Sequence, residues 1–299
     1  MAKIGKVLVS RNSPVRVMGI INVSPESFYK GSVKTTARSI ARTAETMQQD
    51  GAHLIDIGAM STAPYLENII SIEQEIERMK RAVKIVRDNC NLAISADTPR
   101  SAVAREAVNL GVDCLNDITG LKYDKNMAGI VAESKLPVII GAYGRNKGIC
   151  SQSKLIVTGK MSSTVRLLKE SIAIAKKMGI KKGKIIIDPS VGFFRANGKN
   201  PFFTVMRDMP WFIRDIEIIS RLRKLETDFP NPICISVSRK SFIGKLLDLK
   251  TEERLAPSLV FEIICALNGA KIIRTHDVKE TVHALTMCGL IQTKIEGKG

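Results

Sequence analysis

Lys184-Ile185-Ile186-Ile187-Asp188-Pro189 sets three consecutive β-branched residues between a basic residue and a carboxylate followed by proline. An apolar run of strand length, without the alternation of a half-exposed strand, suits a parallel sheet covered by helices. The carboxylate at its C-terminal end asks for a separate reason. On both sides of this segment the same unit recurs, a short β-branched run followed by a longer stretch of helical period. Strands are predicted over 15–23, 54–58, 92–97, 114–118, 137–142, 184–188, 233–237 and 271–275. Helices are predicted over 37–50, 73–89, 99–110, 161–178, 211–227, 252–268 and 278–288. Gly51-Ala52, Gly111-Val112 and Gly269-Ala270 stand where a helix gives way to a strand, and glycine takes the left-handed cap there without a Cβ penalty. Eight such units predict an α/β protein, a single (β/α)8 TIM barrel over 15–290, with 1–14 as a short N-terminal extension and 291–299 as a tail. An open α/β sheet is the alternative that pattern alone leaves.

The composition agrees with one large core. The chain has 299 residues, 44% of them hydrophobic and 25% charged, which excludes a disordered chain. No segment approaches the ~20 apolar residues of a membrane helix. The first fourteen residues hold only the apolar run Val7-Leu8-Val9, too short for a secretory signal, so a cytoplasmic location is expected. The six cysteines (Cys90, Cys114, Cys150, Cys234, Cys265 and Cys288) form no C-x-x-C pair, which argues against zinc and against a disulfide framework. Lys and Arg total 46 against 29 Asp and Glu, a net charge of +17 that favours anionic partners. The charges are interspersed, aromatics are 5%, and no basic-aromatic stripe for stacking bases occurs, so neither nucleic acid nor a membrane is the expected partner.

Barrel strands fill with apolar side chains, so a polar residue at the C-terminal end of one strand after another needs a reason. Strand one ends in Asn22, the loop after strand two carries Ser61 and Thr62, strand three ends in Asp97, and strand four ends in Asn116 and Asp117. Strand six ends in Asp188, the loop after strand seven carries Ser238, Arg239 and Lys240, and strand eight leads into Arg274, His276 and Asp277. Each has a plainer reading alone: Asp97-Thr98-Pro99 resembles a helix cap, Asp188-Pro189 a turn, and Lys240 one more solvated lysine. Together they converge on the rim where barrel enzymes build their sites. Asp97, Asn116, Asp188 and Lys240 suit the edge of a flat heterocycle rich in N–H and carbonyl groups. Arg274, His276, Asn22, Ser61 and Thr62 suit phosphate oxygens. No G-x-G-x-x-G or Walker loop is present.

At these residues the sequence resembles dihydropteroate synthase over nearly its full length. The resemblance rests on seven ordered segments: 18–28, 51–62, Ala96-Asp97-Thr98, Asn116-Asp117, 187–193, 238–244 and Arg274-Thr275-His276-Asp277-Val278. It implies a barrel that joins 6-hydroxymethyl-7,8-dihydropterin diphosphate to an arylamine and releases diphosphate. By matching position it implies that Asp97, Asn116, Asp188 and Lys240 hold the pterin and that Asn22, Ser61, Thr62, Arg274 and His276 hold the diphosphate. It further implies Mg2+ at Asn22, an arylamine side formed by Ser238, Phe193, Arg195 and Lys30, a catalytic role for Asp97, Asp188, Lys240 and Asn22, and a homodimer.

The departures from the family pattern cluster on the arylamine side. After Ser27-Phe28 the chain reads Tyr29-Lys30-Gly31-Ser32; the second loop reads Ala59-Met60-Ser61-Thr62-Ala63-Pro64-Tyr65, without the usual arginine; the sixth reads Asp188-Pro189-Ser190, then Phe194-Arg195. Three explanations follow: 4-aminobenzoate held by other residues, a ribosylated and phosphorylated arylamine held by Lys30, Arg145, Lys147, Arg195 and Lys199, or a pterin-binding paralogue without synthase activity. A pterin-dependent methyltransferase is the competing activity on the same fold.

Overall fold

The computed structural model describes residues 1–25, 34–67, 69–144 and 157–295, the side chains of 292–295 excepted. Eight parallel strands close a barrel: β3 (Arg16–Asn22), β4 (Leu54–Gly58), β5 (Ala93–Asp97), β6 (Cys114–Asp117), β7 (Val138–Gly141), β8 (Ile185–Asp188), β11 (Ile233–Ile235) and β12 (Ala270–Thr275). Each runs beside its sequence neighbour, β12 pairs with β3, and the ring contains no open edge. The single (β/α)8 TIM barrel read from the alternating pattern is therefore the observed fold.

The helices pack outside the ring: α1 (Ala37–Gln49), α2 (Ile72–Asn89), α3 (Ser101–Asn109), α4 (Met127–Ser134), α5 (Met161–Lys177), α6 (Trp211–Ser220), α7 (Leu222–Asp228), α8 (Ser241–Leu247), α9 (Leu255–Leu267) and α10 (Val278–Ile295). The N-termini of α1 and α2 carry full capping boxes, Thr36 with Ser39 and Ser71 with Gln74. The helix predicted over 211–227 is two helices. Ser220 Oγ donates to the Glu217 carbonyl, which also accepts from Arg221 N–H, and the backbone leaves helical geometry at Arg221 before α7 begins. Two short helices, α4 and α8, have too few turns for a periodic signal and were not among the predicted helices. At the other end α10 continues to Ile295, past position 290 where the sequence reading ends the barrel.

The N-terminal extension is itself structured. β1 (Ala2–Ile4) and β2 (Val7–Val9) form an antiparallel hairpin whose Ala2, Ile4 and Val9 are fully buried. They pack on Met18, Leu54, Ala93, Cys114, Ile139, Ile186, Cys234 and Ile272, one residue from each barrel strand, and seal the N-terminal mouth. Because side chains alternate faces along a strand, two residues further up is the next inward position. That layer is Ile20, Asp56, Ser95, Asn116, Gly141, Asp188, Ser236 and Arg274. One short layer above the apolar plug, the barrel interior becomes polar.

Candidate active site

The second inward layer, with the strand ends above it, lines a cavity at the C-terminal mouth that includes Asn22, Ser61, Thr62, Asp97, Asn116, Asp188, Phe193, Lys240, Arg274 and His276. Asp188 and Arg274 thus face one mouth. The parallel register sets Asn22 beside Gly58, Gly58 beside Asp97, and Asp97 beside Asn116. A Cβ at Gly58 would stand 3.1 Å from Asn22 Oδ1 and 4.0 Å from Asp97 Oδ2, so the missing side chain is what lets these two polar groups share the rim.

Arg274 is the centre of the network. Its Nε donates to Asp56 Oδ2 at 2.5 Å and its Nη2 to Asp97 Oδ2 at 2.6 Å, while Asn116 Nδ2 donates to the same Asp56 oxygen at 2.9 Å. Burial works against the guanidinium charge, but Asp56 and Asp97 more than offset this and hold its pKa above the ordinary arginine value. The sequence reading separated a heterocycle end containing Asp97 from an anion end containing Arg274; the structure joins the two residues directly. Asp56, assigned no role from sequence, is fully buried beneath them. Its signal was available: a lone carboxylate between Ile55 and Ile57 at an inward position of an apolar strand.

Opposite this network stand Asp188 and Lys240. Asp188 Oδ1 accepts from Ser190 N–H at 2.6 Å, and burial raises its pKa against the pull of that bond and of Lys240. Lys240 Nζ lies 4.5 Å above the Phe193 ring, and burial, assisted by Arg274, lowers its pKa to about 8. Burial is also the largest influence on Asp97, whose pKa is pushed up to about 7 although Arg274 opposes the rise. His276 is held well below the usual histidine value, first by burial and then by Arg274 and Lys240. Its imidazole is neutral at neutral pH and shares a 3.1 Å contact between Nδ1 and Ser238 Oγ.

Several polar residues flagged from sequence stand elsewhere. Asp117 accepts from Thr119 N–H, Thr119 Oγ1 and Leu121 N–H and caps the turn after β6. Arg239 makes a two-point ion pair with Asp277 at 2.8 Å and also donates to the carbonyls of Thr251 and Glu252. Ser238 is fully buried behind His276 and does not line the cavity. Arg195, expected on the arylamine side, is 7% exposed and stops behind Ser241 because its guanidinium is stacked on Trp211. Lys199 sits at the surface, 3.5 Å from Glu67. Lys30, Arg145 and Lys147 lie outside the described residues. Tyr65 and Ser241, given no site role from sequence, do line the cavity.

The loop after β8 is held from behind. The fully buried Arg214 of α6 donates to the carbonyls of Pro189 and Ser190, and Asp215 Oδ1 accepts from Gly192 N–H. Ser190 adopts φ +55° and Gly192 φ +87°, the left-handed region that glycine enters freely and serine does not.

A family model described as pterin binding enzyme matches residues 18–276. The dihydropteroate synthase of Escherichia coli K12 is 34% identical over 270 residues, covering 90% of this chain and 89% of that protein. That of Synechocystis sp. is 32% identical, covering 92% of this chain and 90% of its own length. Among solved structures, a Clostridium difficile dihydropteroate synthase crystallised in the presence of pteroic acid superposes with a TM-score of 0.78 at 32% identity, covering 95% of this chain and 99% of that one. A Xanthomonas albilineans dihydropteroate synthase with 4-aminobenzoic acid gives a TM-score of 0.78 at 28% identity, covering 97% of each chain. The chain belongs to the dihydropteroate synthase family of pterin-binding enzymes.

Proposed function

We infer that this protein is a transferase that joins 6-hydroxymethyl-7,8-dihydropterin diphosphate to the amine of an arylamine, releasing diphosphate, in folate biosynthesis. The observation that carries the reading is the Asp56–Arg274–Asp97 network, joined to Asn116 and facing Asp188 and Lys240 across one cavity. Asp97, Asn116 and Asp188 offer acceptors and a donor for the edge of the pterin, and Lys240 donates to a ring acceptor. Arg274 spends its Nε hydrogen and one Nη2 hydrogen on carboxylates, which leaves Nη1 and the second Nη2 hydrogen as donors toward the diphosphate. Asn22, Ser61, Thr62 and neutral His276 complete the polar wall on that side.

The methylene C–O bond breaks with its electron pair leaving on the diphosphate, the amine lone pair forms the new C–N bond, and the amine proton passes to water or to the departing anion. Positive charge that grows on the pterin methylene is stabilised by Asp97 and Asp188, already fixed in place by Arg274 and Ser190 N–H. The chain therefore acts by positioning and by field, with no covalent intermediate required.

Mg2+ is part of this reading. The ion takes few protein oxygens and completes its shell with water and substrate phosphates, so the Asn22 amide oxygen at the cavity wall fits it. Among the described residues no group of three or more His, Cys, Asp or Glu forms an all-protein metal site. When bound, the ion would neutralise charge on the leaving diphosphate.

4-Aminobenzoate is the acceptor the site supports best. Of the five basic residues that a phosphorylated arylamine would draw on, the two among the described residues are engaged elsewhere: Arg195 with Trp211 and Ser241, and Lys199 with Glu67. A homodimer is also part of the proposal: the adjacent helices α9 and α10 expose Val260, Met287, Leu290 and Ile291, each more than half accessible. Sedimentation as a monomer at micromolar concentration would refute the dimer. A cytoplasmic location is supported by the five cysteines among the described residues being free thiols, while no described helix is long and apolar enough to cross a membrane.

The test is Mg2+-dependent diphosphate release from the pterin diphosphate with 4-aminobenzoate, and separately with its ribosylated, phosphorylated analogue. Turnover of 4-aminobenzoate to dihydropteroate is expected. Turnover of the phosphorylated acceptor alone would overturn the acceptor assignment. Methyl transfer from a pterin to a corrinoid, without diphosphate release, would overturn the activity.

A further inference from the structure

Glu262 is a buried acid that the mechanism above does not use. The buried charge of Arg195, on the short strand β9 (Phe194–Arg195) that pairs with β10 (Thr204–Val205), is matched by the Trp211 ring, the Phe194 carbonyl and Ser241 Oγ. Glu262 is matched less well. It sits 1% exposed on the inner face of α9, with Oε2 2.7 Å from Thr281 Oγ1 of α10 and Oε1 buried without a hydrogen-bond partner. The charged groups facing it are Asp277, at the head of α10, and Arg239, ahead of α8. Arg239 spends its guanidinium on Asp277 and on the carbonyls of Thr251 and Glu252. Among the described residues neither α6 nor β12 nor α9 itself supplies a charged hydrogen-bond partner to Glu262. An ionised carboxylate in that position carries half its charge on an unsolvated, unpaired oxygen, whereas a neutral acid carries none.

Counting protons gives the same answer. Thr281 Oγ1 lies 2.8 Å from the Asp277 carbonyl, 3.1 Å from Thr275 Oγ1 and 2.7 Å from Glu262 Oε2, and a hydroxyl has one proton and two lone pairs. The carbonyl can only accept, so the Thr281 proton belongs to Asp277. The other two contacts must then bring protons in. Thr275 supplies one, since its own Oγ1 accepts from Asp277 N–H and its proton is free to point at Thr281. Glu262 Oε2 must supply the other. Were the acid ionised, both threonine hydroxyls would turn to it, and Thr281 Oγ1 would face the Asp277 carbonyl at 2.8 Å with no proton between them. Burial is the largest influence on Glu262 and raises its pKa to about 7, against the Thr281 and Thr275 hydroxyls and Arg239 and with the help of Asp277. Four residues earlier on the same face of α9, Ser258 Oγ accepts from Arg239 N–H, next to Lys240. The inner face of α9 thus grips both chain segments that deliver cations to the cavity, and Thr275, fully buried between Arg274 and His276, is the second grip.

We propose that Glu262 is a neutral acid whose proton closes a hydrogen-bonded ring with Thr281, Thr275 and the Asp277 carbonyl, and that it is thereby a positioning residue for Arg274 and His276 at the diphosphate end of the cavity. The positioning role rests on the transferase reading above, which places the pterin diphosphate in that cavity; the protonation of Glu262 does not. Loss of the proton turns both hydroxyls away from the strand end and loosens the turn between β12 and α10.

The experiment has two arms, both on the full-length protein. The first follows urea unfolding of the wild type and of Glu262→Gln at pH 5 and pH 8. An acid whose pKa is raised by folding contributes stability that is fully present below its unfolded value of about 4.3 and is lost as pH rises through about 7. Glutamine keeps a donor and cannot ionise, so Glu262→Gln is expected to lie close to the wild type at pH 5 and to exceed it by about 0.5 M or more in urea midpoint at pH 8. A variant below the wild type at pH 8, or a difference that does not change between the two pH values, would show that the proton is not held and overturn the proposal. The second arm measures Kd for the pterin diphosphate by calorimetry at pH 6, without acceptor. Glu262→Gln is expected to bind within about twofold of the wild type. Glu262→Met and Thr281→Val are each expected to weaken binding about fivefold, and their combination to add less than about twofold, because both break one ring. Equal weakening by Glu262→Gln and Glu262→Met, or no weakening by Thr281→Val, would overturn the positioning role, and Thr281→Val decides it where Glu262→Met does not fold. A wild type that does not bind the pterin diphosphate would instead refute the transferase reading and the positioning role with it, while the unfolding arm still decides the proton.

Discussion

At the N-terminal mouth of the barrel, Met18, Leu54, Ala93, Cys114, Ile139, Ile186, Cys234 and Ile272 meet the hairpin residues Ala2, Ile4 and Val9. Two residues further along the same strands stand Ile20, Asp56, Ser95, Asn116, Gly141, Asp188, Ser236 and Arg274. The strands, their register and their enclosing helices are common to both layers; only the side chains differ. The lower layer is held by burial of apolar surface, which needs no direction. The upper layer is held by directional bonds among charges, which hold their geometry only because the rigid layer below leaves the backbone no freedom. Stability and chemistry are thus separated by about one pleat of β-strand.

Removing a charge from the upper layer should give the largest effect. Asp97→Asn removes one carboxylate from Arg274 and from the developing pterin cation. Diphosphate release should fall by about 10³-fold in kcat/KM for the pterin substrate, the upper part of the range for deleting one preorganised electrostatic group, with the urea midpoint moving much less. A loss under tenfold would mean that the network is structural and the comparison is drawn at the wrong level.

Ile4→Ala tests the other end. Truncating this fully buried side chain in the plug should cost about 2–4 kcal/mol in urea unfolding, the range for large-to-small changes in a core, with kcat shifted less than threefold. A large kcat loss would couple the two mouths more tightly than the layered architecture does.

The upper layer should also answer to pH. Lys240 is a cation whose pKa is lowered to about 8, so its ammonium is fully present below that pH and lost as pH rises through it. In the free enzyme kcat/KM for the pterin diphosphate should fall about tenfold per unit above pH 8, and Lys240→Arg should move that limb upward because arginine keeps its charge. A profile flat to pH 10 would remove Lys240 from pterin recognition.

The smallest effect is expected at Ser190, where the loop beside Asp188 holds a serine at φ +55° and buries its hydroxyl without a hydrogen-bond partner. Ser190→Gly should relieve both and stabilise the protein by about 1 kcal/mol in thermal or urea unfolding, despite the greater freedom glycine brings to the unfolded chain. Destabilisation would mean that the serine Cβ packs usefully in the loop.

Much of the fold was legible because strand and helix periods are local. Ile185-Ile186-Ile187 is a buried strand on inspection, and repeating that reading along the chain yields eight units and one polar rim. Asn22, Asp97, Asn116 and Asp188 were legible for the same reason, as polar residues closing apolar strands. The break at Arg221 was not, since Ser220 turning onto the Glu217 carbonyl leaves the apolar spacing intact. The pairing of Asp56 with Arg274 was hidden in a different way: the two lie 218 positions apart, and no local pattern marks residues so distant as a pair.

Alternation of apolar and amphipathic segments was enough to determine, from sequence alone, eight strand–helix units in a helix-covered parallel sheet with polar strand ends on one side, because hydrophobic periodicity dictates which face each element must bury; that the sheet closes into a ring instead of staying open was decided by the tertiary structure. Tertiary structure alone decided how the charges are spent. Arg274 joins the carboxylates instead of standing apart from them, Arg195 turns onto Trp211 and Ser241 instead of into the cavity, and Asp117 caps a turn. Those outcomes depend on distances and directions between side chains, and these exist only once the strands have closed the ring.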